Sequence, residues 1–157
     1  MPFRLGEFRA GLSFHQVITP TYPLFREPQY LLSLANKVVD VTREFSLDII
    51  HAHYAVPHAA AALLARQVLA STPGAIVPKL VATLHGTDIT LVGNDPSYSE
   101  IVAHSIEQSD CVTAVSHSLC ESTRSELGVT RDIRVIPNFL DCAVHRRVVQ
   151  PELRKLL

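Results

Sequence analysis

The feature that most constrains the fold is a repeated order in which a short β-branched run is followed by a segment with helical spacing. Such runs occupy residues 47–51, 79–84, 111–115 and 133–136, and a further run with alternating apolar and polar residues lies at Leu12–Thr19. Strands that alternate with helices favour a parallel sheet joined by right-handed crossovers. We therefore predict an α/β protein with a Rossmann-like parallel sheet and flanking helices.

Helix signals accompany these runs. Apolar residues recur every three or four positions over Tyr30–Phe45, which predicts a helix there. Three later helices are predicted over Pro57–Ala70, Ser97–Gln108 and Ser116–Gly128. Pro57 suits the first position of its helix. Either Ser116 or Ser118 can cap the last helix, and Glu121, three residues after Ser118, would complete a capping box.

Composition limits the classes of function. The 14 basic and 15 acidic side chains nearly cancel, which leaves no electrostatic footprint for nucleic acid. The longest apolar run, Ala59–Ala65, is far shorter than the ~20 residues of a membrane span. The N-terminus has no apolar signal core. We expect a cytoplasmic protein with no membrane or nucleic-acid partner, and its cysteines, which form no CxxC pair, are expected to be thiols.

Polar clusters follow four of the predicted strands. His51–Tyr54 ends the first of them, His85–Asp88 follows the next, and Ser116 and Asn138 follow the last two. In parallel sheets, ligands bind beyond the carboxyl ends of the strands. We therefore predict a site at this edge of the sheet. The candidate pocket residues are Gly86, Asp88, Ser116 and Asn138.

The loop His85-Gly86-Thr87-Asp88 is the centre of that predicted site. Glycine allows close approach of a ligand to the backbone, and imidazole and hydroxyl groups can donate to an anionic or hydroxyl-rich ligand. A structural interpretation is equally open, in which Thr87 or Asp88 caps a turn and His85 satisfies a backbone carbonyl.

A second hypothesis is a metal-dependent hydrolase. His51 and His53 lie two residues apart on a strand and so point the same way, and His85 and Asp88 could complete a zinc-like ligand set. We favour ordinary packing for these histidines, because no HxxxH or carboxylate spacing supports a metal. The sequence contains no GxSxG, P-loop or GxGxxG motif, so the serine hydrolase, kinase and dinucleotide-binding classes lack their main support.

Five stretches carry a resemblance to a known family: residues 22–25 (YPLF), 47–58 (LDIIHAHYAVPH), 83–90 (TLHGTDIT), 106–110 (IEQSD) and 112–119 (VTAVSHSL). In this order and spacing they resemble the N-terminal domain of the retaining glycosyltransferases with the two-Rossmann-domain B-type fold. Within that family the resemblance is to the group that acts on malate in bacillithiol biosynthesis.

The resemblance implies transfer of N-acetylglucosamine from UDP-N-acetylglucosamine to the hydroxyl of L-malate, with retention and without a metal or other cofactor. The matching motif implies that His85 is catalytic and lies beside the transferred sugar. It also implies that Tyr54 and Thr87 bind the acceptor.

Departures from the family pattern shape the expected domain organisation. In the family, a first strand and a Gly-rich turn precede the segment matched by Pro2–Leu5, and a nucleotide-binding domain follows the part matched here. The family pattern also has an arginine where this chain has Ala103, and the neighbouring His104 substitutes for it only in part. We expect residues 1–145 to form the acceptor-side domain, without that first strand, and 146–157 to form a tail or the start of a linker. We expect this chain to be inactive alone, and to be completed by a homo-oligomer or a complementing chain.

Overall fold

The computed structural model describes residues 12–19, 29–93 and 95–145, and its regular elements alternate along the chain. The helices are α1 (Tyr30–Phe45), α2 (Ala60–Ala70), α3 (Ser99–Glu107) and α4 (His117–Leu127). The strands are β1 (Ile49–His53), β2 (Lys79–Leu84), β3 (Cys111–Ala114) and β4 (Ile133–Val135). Wide helical turns at Ala55–Ala59 and Asp88–Gly93 follow β1 and the His85 loop.

The strands form a parallel sheet in the order β1-β2-β3-β4. His53 pairs with Thr83, Leu84 with Ala114, and Ala114 with Val135. The carboxyl ends of the strands therefore meet at one edge. This arrangement confirms the predicted α/β, Rossmann-like fold class.

The core lies between the sheet and the helices that cross over it. Buried residues of α2, α3 and α4 cluster with the same side of β2, so these three helices cover one face of the sheet. Leu80, Ala82 and Leu84 of β2 point to that face and are fully buried. Val81 and Thr83 point to the other face and are only half-buried. Within the described residues the sheet therefore has one covered face and one open face.

Helix α1 lies outside this layer and packs on α2. Val39 joins Ala65 and Leu69 in one buried cluster, which places the apolar stripe of α1 against its neighbour. Its bounds agree with the prediction because a long amphipathic stripe is a local signal. The bounds of β2 are also as predicted.

The strand predicted at Leu12–Thr19 is wrong. These residues have no regular secondary structure, and the ring of His15 lies 5.2 Å from that of Phe45 at the end of α1. Phe14 and Ile18 are exposed. Alternation of apolar and polar residues gives a strand only where a partner strand is within reach, and among the described residues this segment meets a helix instead.

The structure fixes where two of the predicted helices start. Val56 has an extended backbone (φ −129°, ψ 135°), and helical backbone follows from Pro57, as predicted, with the regular helix α2 beginning at Ala60. Helix α4 is capped by Ser116, whose hydroxyl accepts from the Leu119 N–H at 3.1 Å. Ser118 lies inside the helix and cannot cap it. The end of α4 is as predicted.

Asp110 ties the opposite edge of the sheet together. Its carboxylate accepts from the Leu80 N–H at 2.9 Å and pairs with Lys79 at 3.0 Å and Arg66 at 3.1 Å. Burial alone would raise the pKa of Asp110, but these contacts outweigh it and hold the pKa below its ordinary value. The amino-terminal ends of β2 and β3 are thereby fixed independently of the candidate site.

Some expectations fall on residues outside the described ranges. They are the expected lack of the family's first strand ahead of Pro2–Leu5, the stretch 22–25 and the tail 146–157. Cys111, Cys120 and Cys142 are thiols, as predicted. Among the helices of the described ranges, none combines the length and apolar character needed to cross a membrane.

Candidate functional site

The predicted site residues gather where neighbouring strands end. Tyr54 follows the last residue of β1, His85 follows the last residue of β2, and Ser116 and Asn138 follow β3 and β4. The register of the sheet places these strand ends side by side. The sequence prediction of a shared edge is therefore correct in outline.

A pair of imidazoles forms the centre of this edge. The Nδ1 atom of His53 lies 2.8 Å from the Nε2 atom of His85, a hydrogen-bonding distance. The ring of Tyr54 lies 4.8 Å from that of His85, and the ring of His51 stacks on that of His53 at 4.7 Å. Aromatic rings at such separations pack favourably. The side chain of His85 is thus held on two sides.

A second polar chain runs across the open face of the sheet. The Nε2 atom of His51 lies 2.7 Å from the Thr83 hydroxyl, which lies 2.7 Å from the Thr113 hydroxyl. Partial burial lowers the pKa of His51 below its ordinary value, and positive charge on His53 or His85 lowers it further. The neutral form of His51 is therefore favoured, as its place among neighbouring imidazoles requires.

An open groove of about 590 Å³ extends from this edge over the open face. His53 and His85 line it together with Asn138, so the structure brings this predicted pocket residue to the histidines. Arg134 also lines the groove and supplies positive charge. The hydroxyl and imidazole groups that line the groove can hydrogen-bond to a hydroxylated ligand, and Arg134 can pair with an anionic one.

Tyr54 borders a separate, smaller pocket of about 300 Å³ beside β1. His53 contributes to both cavities, and His58 lines only the smaller one. Because Leu34 and Val38 of α1 supply much of its wall, this pocket is mostly apolar. Tyr54 therefore lines the apolar pocket and adjoins the groove through its ring contact with His85.

Asp88 has a different place from the one predicted. It is 2% exposed and lies beneath the loop, so it does not face the groove. Its Oδ1 atom accepts from the N–H groups of Gly86 at 2.9 Å and His85 at 3.3 Å, and its Oδ2 atom accepts from the Ala55 N–H at 3.1 Å. The structural interpretation of Asp88 is correct, with the addition that this one carboxylate also reaches the Tyr54 turn.

The backbone is strained on both sides of this link. Tyr54 has φ 77° and ψ 139°, a conformation that costs a residue with a side chain on the order of 1–3 kcal/mol. Gly86 has φ 120°, which only glycine adopts readily. Such strain persists where surrounding contacts impose it, and the hydrogen bonds to Asp88 are contacts of this kind.

The other predicted residues differ in their availability. Thr87 is exposed on the loop and open to a ligand. Ser116 is exposed, but its hydroxyl is used in capping α4. Ala103 is half-buried on α3, and His104 beside it is exposed.

The geometry gives no support to the metal-dependent hydrolase. His53 and His85 direct nitrogen atoms at each other, and Asp88 is occupied by backbone N–H groups. Across the described ranges, no group of three or more histidine, cysteine, aspartate or glutamate side chains is arranged to hold a metal ion.

Sequence reasoning missed Thr113 and Arg134. Both lie on the open face, where they pair in register between β3 and β4. A single threonine or arginine in a short strand carries no motif signal. Strand alternation, applied once the register is known, is the signal that places them on the same face as Thr83.

Comparison with known proteins identifies the family. The family model described as Glycosyltransferase Family 4 matches residues 2–144. The N-acetyl-alpha-D-glucosaminyl L-malate synthase of Bacillus anthracis is 43% identical over 155 residues, which is 99% of this chain and 39% of that relative. The chain thus spans well under half the length of the curated relative that it matches. Since the family match covers nearly the whole chain, the chain belongs to Glycosyltransferase Family 4.

Proposed function

We propose that this chain forms the acceptor-side domain of an enzyme that transfers N-acetylglucosamine from UDP-N-acetylglucosamine to L-malate. One observation carries the proposal. The rings of Tyr54 and His85 lie 4.8 Å apart at neighbouring strand ends, in a chain that is 43% identical to a relative named for this product. The HYxxPH and HGTD motifs that supply these side chains therefore converge in space.

Each residue has a role in this proposal. His85 orients the transferred sugar. Tyr54 and Thr87 donate hydrogen bonds from their hydroxyl groups to the malate carboxylates. Arg134 adds positive charge in the groove that His85 lines, which suits a dicarboxylate or a diphosphate. Gly86 and Asn138 complete the surroundings, whereas Asp88 acts through the backbone.

The role assigned to this domain in the reaction is to position the acceptor relative to the sugar. Holding the malate hydroxyl against the anomeric carbon of the sugar removes much of the entropic barrier to transfer. Donors fixed in advance stabilise charge as the bond to the diphosphate breaks. In retaining transfer of this kind, the leaving diphosphate takes up the proton of the acceptor, so the proposal requires no protein nucleophile.

We also propose that this domain binds the acceptor while another part of the enzyme binds the donor. Residues 1–145 form the acceptor-side domain and 146–157 a tail, a division that the family match over 2–144 supports. Because the matched region is 39% of the relative, we propose that transfer needs a donor-binding part outside these 157 residues. A cytoplasmic location is part of the same proposal.

Association with another polypeptide, either a second copy or a complementing chain, is also proposed. Large apolar side chains are exposed in the groove beyond β4, with Ile136 59% exposed and Phe139 94%. Contiguous exposed apolar surface often marks an interaction site. Light scattering on the purified chain tests this part: a dimer or larger species is expected, and a monomer at every concentration contradicts it.

The acceptor role is tested by calorimetry with L-malate and the 157-residue chain. We expect weak binding that Tyr54→Phe reduces by about 1 kcal/mol, the typical contribution of one hydrogen bond. Tyr98→Phe is the matched control, because Tyr98 is exposed and lines neither the groove nor the smaller pocket. Binding that is absent, or equal in both variants, overturns the assignment of Tyr54.

A further inference from the structure

The hydrogen bond between His53 and His85 restricts the protonation of both rings. A neutral imidazole has one N–H group and one lone pair, so a 2.8 Å contact between Nδ1 of His53 and Nε2 of His85 needs one donor and one acceptor. If Nε2 of His85 donates, both rings carry their proton on Nε2. If Nδ1 of His53 donates, both rings carry it on Nδ1.

The pair lies among aromatic rings, beside a carboxylate that is already hydrogen-bonded. The ring of His51 stacks on His53, and the ring of Tyr54 lies beside His85. The nearby carboxylate of Asp88 is engaged by the backbone N–H groups of His85, Gly86 and Ala55. Two rings that are each protonated on both nitrogens could not hydrogen-bond to each other, so at least one of the two rings keeps a lone pair.

Intrinsic chemistry decides between the two neutral arrangements. A free histidine side chain in water prefers the form with the proton on Nε2. The arrangement in which His85 donates leaves both rings in that preferred form. The alternative puts both rings in the less stable form.

We propose that His53 is a positioning residue that accepts a hydrogen bond from Nε2 of His85 and thereby leaves the Nδ1 lone pair of His85 for a ligand hydroxyl. The inference rests on the proposed function, in which His85 faces the ligand. It deepens that function by naming the recognised group. A lone pair accepts from a sugar or hydroxy-acid O–H and repels a carboxylate or phosphate oxygen, so His85 selects hydroxyl groups and the anionic groups go elsewhere.

Nuclear magnetic resonance of the ligand-free, ¹⁵N-labelled chain tests the inference directly. We expect a scalar coupling across the hydrogen bond between Nε2 of His85 and Nδ1 of His53, with the proton on His85 and an unprotonated Nδ1 in each ring. A proton on Nδ1 of His53, or the absence of any coupling in the folded chain, overturns it.

Variants separate positioning from general structural damage. His53→Leu is expected to abolish the coupling and let His85 exchange between its two neutral forms. His53→Asn, whose side-chain oxygen can occupy the Nδ1 position, is expected to keep His85 protonated on Nε2. His51→Gln is the control, since His51 stacks on His53 but has its hydrogen bond to Thr83, and it is expected to preserve the coupling. If His85 keeps one fixed form in His53→Leu, His53 does not position it.

The same spectra distinguish failure of this inference from failure of the proposed function. Coupling is read without ligand, so its absence counts against the His53 role alone. The His85 Nδ1 signal is then followed during titration with L-malate and with UDP-N-acetylglucosamine. Intact coupling with no response to either compound counts against the ligand-facing role of His85, and with it against the hydroxyl selectivity inferred here.

Discussion

The Oδ2 atom of Asp88 accepts a hydrogen bond from the backbone N–H of Ala55 at 3.1 Å, which joins the loop after β2 to the turn after β1. Its other oxygen accepts from the N–H groups of Gly86 and His85. Tyr54 and His85 are therefore placed relative to each other by a residue that is itself buried. The geometry of the site therefore depends on a side chain that does not line the groove.

Replacing Asp88 tests this dependence. Asp88→Ala leaves the N–H groups of three residues without their acceptor, and we expect a loss of roughly 2–4 kcal/mol in the free energy of unfolding. Chemical denaturation measures it. Asp95→Ala is the matched control, because Asp95 accepts the Ser97 N–H in an exposed turn, and its cost is expected to stay below about 1 kcal/mol. Equal costs for the two variants would show that Asp88 is an ordinary turn residue.

The burial of Asp88 also shows where sequence reasoning stops. In the loop sequence HGTD, all four residues are equally plausible ligand-binding residues. Asp88 points inward because it accepts a hydrogen bond from the turn after β1, which is over 30 residues away in the chain. Local signals did better. The apolar stripe of α1 and the apolar run of β2 predicted the observed bounds of those elements, because each signal lies within the element itself. The strand prediction at Leu12–Thr19 failed because strand formation needs a non-local partner.

The strain at Tyr54 predicts that a glycine variant is more stable than an alanine variant, which is the reverse of the usual order. Glycine adopts φ 77° without strain and alanine does not, so Tyr54→Gly is expected to be more stable than Tyr54→Ala by about 1 kcal/mol. Thermal or chemical unfolding measures the difference. At Asn36, exposed within α1, the usual order is expected, with glycine less stable than alanine by about 1 kcal/mol. If alanine is the more stable residue at both positions, the positive φ of Tyr54 is not imposed in the folded protein.

Substitutions at two glycines distinguish a loss of stability from a loss of ligand binding. Gly86 and Gly128 both have positive φ, and an added Cβ would meet nothing within 4 Å at either. We expect Gly86→Ala and Gly128→Ala each to cost about 1–3 kcal/mol of stability through the backbone alone. Only Gly86→Ala is expected to abolish L-malate binding in calorimetry, because it shifts the His85 loop. Loss of binding in both variants, or in neither, contradicts that distinction.

The lowered pKa of His51 predicts a pH dependence with a definite sign. In the unfolded chain His51 takes up a proton near its ordinary pKa of 6.5, whereas in the folded chain it does so at lower pH. The unfolded state therefore binds more protons in between, and stability falls as the pH decreases from 6.5 through the folded pKa. His51→Gln is expected to flatten the unfolding free energy over that range. A variant that follows the wild-type curve throughout shows that another group is responsible.

The central claim is that this domain supplies the acceptor side of N-acetylglucosamine transfer to L-malate. It is tested most directly with a hybrid enzyme in which this chain replaces the matched 39% of the Bacillus anthracis relative. Mass spectrometry measures N-acetylglucosaminyl malate formed from UDP-N-acetylglucosamine and L-malate. We predict product from the hybrid, at least a hundredfold less from its His85→Ala form (about 2.7 kcal/mol of barrier), and none from the 157-residue chain alone. A hybrid that folds, as shown by circular dichroism, but yields no product would contradict the account, and so would product from the isolated chain.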